Sequence, residues 1–171
     1  MTIEIRNVRV EDAEQIVAIL NPIIAARCYT AMDTPFTVEV EREFIRTFPA
    51  NGIFLAAVDT SSNRIVGFQN VSPFGSFTRA FDHVGVIGTY VDLDRRRQGI
   101  ARRLFEATYD GARRKGYEKF FSYVRADNHA GLQTYLRQGF RAVGIAERQA
   151  KVDGKYIDEV LIEKFLPPQS G

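Results

Sequence analysis

The sequence predicts an α/β (α+β) domain built on one mixed sheet of about six or seven strands, with helices on both faces. Three observations carry this: strand patterns and helix patterns interleave along the chain, two adjacent apolar runs read as a hairpin, and the longest amphipathic helix sits between two strands. Ile3 and Ile5 alternate with polar neighbours as a first strand. Asp12 opens a helix with Ile16, Ile19, Leu20, Ile23 and Ile24 at helical spacing, and Glu39 to Phe48 forms a second helix stopped by Pro49. Ile53 to Val58 and Ile65 to Val71 flank Asp59-Thr60-Ser61-Ser62-Asn63 as an antiparallel pair. Strands follow at Val84 to Val91, Lys119 to Val124, Phe140 to Ala146 and Tyr156 to Lys164. Between them lie a helix from near Gln98, ended by Gly116, and a shorter one from Asn128 to Gln138, ended by Gly139.

No repeat or Pro/Gly/Ser linker divides the chain, so residues 1–166 are expected to form one unit and 167–171 a disordered tail. With 171 residues, such a chain buries roughly 70% of its unfolded surface and needs no staple. The 23 basic and 21 acidic side chains leave a charge of +2, too little to imply nucleic acid without a local cluster. Cys28 is the lone cysteine and His83 and His129 the only histidines, which excludes an intrachain disulfide and a structural zinc site; no metal is expected. The N-terminus lacks a signal-peptide pattern, and the apolar stretch Ile16 to Ala26 is interrupted by Asn21 and Pro22, so no membrane span and a cytoplasmic location are expected.

The informative segment joins the strand ending at Val91 to the helix beginning near Gln98. Helix N-termini carry partial positive charge and usually attract acidic side chains, yet here Arg95, Arg96 and Arg97 precede the helix and Arg102 and Arg103 lie in its opening turns. An anion is expected there. Gly99 and the small Ala101 would let consecutive backbone N–H groups approach a pyrophosphate, with arginines pairing its charge. The alternative is an incidental turn glycine beside a solvated basic face. No Gly-x-Gly-x-x-Gly or Gly-Lys-Ser/Thr loop is present.

Arg96-Arg97-Gln98-Gly99-Ile100-Ala101 in this context resembles the acetyl-CoA motif of the GNAT N-acetyltransferases. Asn128, Tyr135 and the pair Gly139-Phe140 match that family's second element, and Ala18 to Ile24 looks like its phosphinothricin N-acetyltransferase branch. The resemblance runs from Ile3 to Phe165 and implies a mixed, mostly antiparallel sheet, acetyl-CoA as co-substrate and a homodimer. It implies that the backbone at Tyr90 and Val91 binds pantetheine, that Arg96, Arg97, Gln98, Gly99, Ile100, Ala101 and Arg102 hold the pyrophosphate, and that Asn128 touches pantetheine. Asn128 reads equally as an N-cap. Tyr135 would protonate the departing thiolate; otherwise it is a core aromatic beside Leu132 and Leu136.

Many members of the family carry a glutamate on the strand before this loop, whereas Val84 to Val91 holds no carboxylate. His83 is then the base to test, with Asp82 behind it and a water relay as the alternative. An acceptor pocket is expected from the Cys28 to Phe36 loop, the Ser72 to Phe81 loop and the Val152 to Tyr156 hairpin, through Tyr29, Phe36, Phe74 and Arg79. The function expected is acetyl transfer to the primary amine of a small, amino-acid-like molecule by direct attack. A non-catalytic acyl-CoA sensor and a transferase acting on a protein or peptide amine are the alternatives.

Overall fold

The structure, a computed structural model, describes residues 2–167. Its elements run β1 (Ile3–Asn7), α1 (Ala13–Ala25), α2 (Val38–Arg46), β2 (Ile53–Asp59), β3 (Arg64–Pro73), β4 (Val84–Val91), α3 (Ile100–Arg114), β5 (Lys119–Arg125), α4 (His129–Arg137), β6 (Arg141–Val152) and β7 (Lys155–Phe165). The sheet of seven strands has the order β1-β2-β3-β4-β5-β7-β6. It is mixed and mostly antiparallel, as expected. Residues 168–171 of the expected disordered tail lie outside the described residues.

Both faces of the sheet are covered. β2 is buried along its whole length because the α1-side core covers one face of the sheet and α3 the other. On the first side Ile16, Leu20, Ile23 and Ile24 of α1 meet Phe54, Val58 and Phe68. On the second, Ile100, Leu104, Phe105 and Ala112 of α3 pack with Val66, Val71, Ile87 and Phe120. Clusters this large dominate the driving force, because apolar area removed from water contributes about 25 cal/mol per Å².

One junction differs from the rest. β4 and β5 form the parallel pair, and their ladder is confined to Val84–Val86 against Lys119–Phe121. Beyond it the Ser122 hydroxyl donates to the Ile87 carbonyl at 2.7 Å, and the strands then part. α3 leaves from the far end of β4 and α4 from the far end of β5, so both helix N-termini stand at the mouth of this split.

Two boundaries depart from expectation. α3 begins at Ile100 with Gly99 as its cap, and a short 3-10 turn at Leu93–Arg95 occupies the junction before it. β6 runs six residues past Ala146 because it is an edge strand exposed on both faces, so no burial alternation marks its extent.

Candidate active site

A cavity of about 890 Å³ fills the split and extends to the start of α3. Its wall includes Thr89, Tyr90 and Val91 of β4, the Arg95–Arg97 bend, Gly99 to Arg102, Asn128 and Tyr135, with Ile23 and Tyr29 at the opposite side. The volume suits a substantial ligand.

At the start of α3, Gly99 has φ +77° and Arg97 φ +61°, so two left-handed residues bracket Gln98. This bend, in which Gly99 carries no side chain, turns successive backbone N–H groups outward as an anion nest. The first intrahelical bond is Arg103 N–H to the Gly99 carbonyl at 3.2 Å, and no side chain caps the helix among the described residues. The N–H groups of Ile100, Ala101 and Arg102 therefore keep their donors for a ligand. A Cβ built on Gly99 meets nothing within 4 Å and projects into the open space where that ligand would lie. The residues present thus fit a pyrophosphate. Arg102 approaches Glu106 at 3.7 Å on the exposed helix face, and the Arg96 guanidinium stacks 3.9 Å above the Tyr29 ring.

The backbone of β4 divides between two neighbours. Ile87 points its carbonyl toward β5, and the period of two puts the backbone groups of Thr89 and Val91 on the same side, facing the split. Asp92 N–H instead bonds the Val66 carbonyl, and Tyr90 is paired with Phe68 of β3. Val91 is therefore free to pair with an extended ligand as expected, but its companion is Thr89. Tyr90 contributes its ring, which stacks on Phe68 at 4.9 Å.

Tyr135 is buried at the inner end of the cavity, edge-on to Phe105 at 5.5 Å and Phe140 at 5.1 Å. Its hydroxyl donates to Thr89 Oγ1 at 3.1 Å, and Gln69 Nε2 donates to the same oxygen at 2.7 Å. Burial raises the Tyr135 pKa above the ordinary phenol value, so the group holds its proton through neutral pH. Gln69 Oε1 is buried without a partner among the described residues. Thr89, Gln69 and Ser122 escape sequence reasoning, although a glutamine inside the apolar run Ile65 to Val71 is a signal for a polar interior site.

Asn128 is the α4 cap, its Oδ1 accepting from Gly131 N–H at 3.0 Å, and its Nδ2 donates to the Tyr29 carbonyl at 3.1 Å. Buried Arg125 donates to the Thr30 carbonyl at 3.1 Å while a two-point bond holds Asp127, whose carboxyl it keeps below the usual range. Asn21 of α1 clamps the other end, exchanging two bonds of 2.9 Å with the Phe36 backbone. Arg27 meets Asp153 of the β6–β7 turn at 3.2 Å. The Cys28 to Phe36 loop is thus strapped over the split. Asn128→Ala is expected to cost about 1 kcal/mol through the lost cap, lowering the unfolding midpoint by about 2–4 °C in a thermal melt. Loosening of the strap should raise the acceptor KM.

Gln98 is not on the cavity wall, and five other expected residues are not brought to the cavity. His83 is exposed and lies at the paired end of β4, where its carbonyl accepts from Glu118 and Lys119; at ~3.3 Å per residue it is roughly 20 Å from Thr89. It cannot serve as the base, and Asp82 beside it pairs with Arg79 at 3.4 Å. Phe74 packs edge-on with Phe81 and Phe121 at this same end, and Arg79 is exposed. Both belong to the β3–β4 loop, which antiparallel pairing carries to the wrong end of the strand. Phe36 packs into the α1-side core. Of the expected acceptor residues, Tyr29 lines the cavity.

Among the described residues no cluster of metal-ligating side chains is found, and no helix is long and apolar enough to cross a membrane.

Comparison with known proteins agrees with this fold. A phosphinothricin N-acetyltransferase of Streptomyces coelicolor is 24% identical over 158 residues, covering 91% of this chain and 92% of its own. An N-acetyltransferase from Staphylococcus aureus superposes with a TM-score of 0.89 at 22% identity, over 98% of this chain and all of that one. A phosphinothricin acetyltransferase from Sinorhizobium meliloti, solved in complex with acetyl-CoA, gives 0.87 at 17% identity over 100% and 95%. The profile of the acetyltransferase (GNAT) family matches residues 23–140, well over half of the chain. The protein therefore belongs to the GNAT acetyltransferase family.

Proposed function

We propose that the protein transfers the acetyl group of acetyl-CoA to the primary amine of a small, amino-acid-like molecule by direct attack. The observation that carries this reading is the continuity of one cavity from the uncapped start of α3 to the hydroxyl of Tyr135. Acetyl-CoA supplies an activated acetyl group as its thioester. The backbone of Gly99 to Arg102, with Arg96, Arg97 and Gln98, holds the pyrophosphate; Thr89, Val91 and Asn128 hold the pantetheine arm. The Tyr135 hydroxyl hands its proton to the leaving sulfur, and the ring of Tyr90 walls the acceptor. Tyr29, covered by Arg96 and tied to Asn128, closes the acceptor side.

A small acceptor is favoured because the loop fixed at Asn21, Arg125 and Asn128 holds Tyr29 against the cavity. The name of the Streptomyces relative makes phosphinothricin a natural probe. A homodimer belongs to this reading, supported by the edge strand β6 with Val143 and Ile145 uncovered. Nucleic acid does not, since the basic bend frames a cavity and Arg102 pairs with Glu106.

Calorimetric titration with acetyl-CoA, then thiol release over amino acids, phosphinothricin, polyamines and short peptides, tests it. Binding with turnover of a small amine is expected. Turnover of peptides alone would move the acceptor class, and binding without turnover of any amine would make the protein a sensor.

A further inference from the structure

We propose that the Thr89 hydroxyl, held from behind by the buried amide of Gln69, positions Tyr135 as the proton donor to the leaving sulfur by exchanging hydrogen-bond roles with it. This rests on the acetyl-transfer reading above.

Gln69 and Thr89 are register partners across the β3–β4 ladder, so their side chains stand on one face of the sheet. It is the face beneath α3, since Val71 and Ile87, two residues away on either strand, belong to that core together with Phe105 and Tyr135. Thr89 lies on the cavity wall, whereas Gln69 is 0% exposed and lies behind it. The amide reaches the hydroxyl at 2.7 Å, a shorter contact than the 3.1 Å between Thr89 Oγ1 and the Tyr135 hydroxyl. Its own Oε1 is buried without a partner among the described residues, which costs stability in an apolar layer. The neighbouring β3 side chains Val66, Phe68 and Val71 fill that layer without such a cost, so an amide aimed at one hydroxyl marks a site rather than packing.

The chemistry of the three groups gives this chain a direction. A hydroxyl carries one proton and two acceptor positions, whereas an amide nitrogen only donates. Gln69 therefore fills one acceptor position of Thr89 in every state. At rest the Tyr135 hydroxyl fills the second, and the Thr89 proton has no protein acceptor among the described residues. Rotation of two O–H bonds, with no heavy atom moving, reverses the second contact: Thr89 then donates to Tyr135 Oη, and the Tyr135 proton turns into the cavity. Donation from Gln69 polarises the Thr89 O–H and strengthens it as a donor. Burial raises the Tyr135 phenol, and the Thr89 hydroxyl is foremost among the groups that oppose the rise. Ser122 does not take this part, because its own proton goes to the Ile87 carbonyl at 2.7 Å.

In the transfer step the amine lone pair forms the C–N bond and the C–S bond breaks with its electron pair on sulfur. Sulfur takes the Tyr135 proton while the Thr89 O–H holds the phenolate oxygen left behind. The proton that the nitrogen sheds on becoming an amide restores Tyr135, and the two O–H bonds turn back. Neutral amine and thioester thus give amide and thiol with no proton gained or lost. Thr89 and Gln69 keep their own protons and act through Tyr135, which makes both positioning residues.

The test uses the full chain with acetyl-CoA and the best amine of the panel, comparing the wild type with Thr89→Val, Thr89→Ser, Gln69→Leu, Tyr135→Phe and the Thr89→Val/Tyr135→Phe double variant. Valine keeps the shape of Thr89 and its backbone groups, so calorimetric affinity for acetyl-CoA should stay within about twofold of wild type while kcat falls about 30-fold, the scale of one hydrogen bond to a charged group. Thr89→Ser, which restores the hydroxyl, should bring kcat back to within about fivefold of wild type. Gln69→Leu should lower kcat about tenfold with a thermal midpoint no lower than wild type, because the orphaned oxygen leaves with the donor. In the Tyr135→Phe background Thr89→Val should cost less than about twofold, since the group it serves is gone. Wild-type kcat in folded Thr89→Val would overturn the inference. So would a serine variant as slow as the valine one, or an equal loss with and without the Tyr135 hydroxyl, either of which makes Thr89 a packing residue. A lowered midpoint with wild-type kcat in Gln69→Leu would overturn the part given to the amide. A wild type inert to every amine would overturn the transfer reading itself, before any variant is compared.

Discussion

Gly99→Val is expected to raise the dissociation constant for acetyl-CoA by about 100-fold or more, while the protein still folds. The pyrophosphate is proposed to accept from backbone N–H groups of the first turn of α3, and hydrogen bonds to charged groups contribute about 1.5–3 kcal/mol each, so losing two reaches that scale. The valine Cβ would enter open space in the free protein, so no clash with protein atoms opposes folding. Its cost to the fold comes from φ +77°, a conformation that disfavours an L residue by roughly 1–2 kcal/mol. Gly99→Asn separates the two effects, because asparagine tolerates the left-handed region while still placing a side chain in the cradle. Calorimetry with acetyl-CoA and a thermal melt of both variants make the check. Wild-type affinity in either variant would remove the backbone cradle from the cofactor site.

The cofactor half of the site is legible in the sequence for a physical reason. Its proposed ligands are backbone groups, and what signals them is the missing side chain at Gly99, the small one at Ala101 and the misplaced arginines around them. Such features are local and survive in one dimension. The element order is legible too, since the sheet is covered on both faces and its central strands are apolar throughout. The proposed acceptor side draws on places far apart in the chain, Tyr29, Tyr90 and the Arg125 that holds the loop at Thr30, and no spacing rule joins them. Glu41 is hidden among Glu39, Arg42, Glu43 and Arg46, so a helix that looks solvated conceals one buried carboxylate. Phe74, Arg79 and His83 mislead because composition says what a loop carries and not which end of the strand it meets. That end is set by the antiparallel register of Ser72 and Pro73 with Val86 and Gly85.

Tyr135→Phe is expected to lower kcat by roughly 1000-fold, with the acetyl-CoA dissociation constant within about twofold of wild type. The ring is held by Phe105 and Phe140, which the substitution leaves in place, so the cavity keeps its shape. The lost bond to Thr89 contributes about 1 kcal/mol to stability, and Thr89 keeps the Gln69 donor. What disappears is a proton at the sulfur. A phenol raised by burial is a weaker acid than a free one, so Tyr135 does not act by sharing its proton in the resting enzyme. In the proposed mechanism it acts when negative charge grows on sulfur beside a buried, fixed hydroxyl, which stabilises that charge more than solvent could. The upward shift also predicts that no alkaline loss of wild-type rate below about pH 10 belongs to this residue. Steady-state rates from pH 6 to 10 with calorimetric binding give both quantities. An equal fall in kcat and in acetyl-CoA affinity would make Tyr135 a packing residue, and an unchanged kcat would assign the leaving-group proton to another donor.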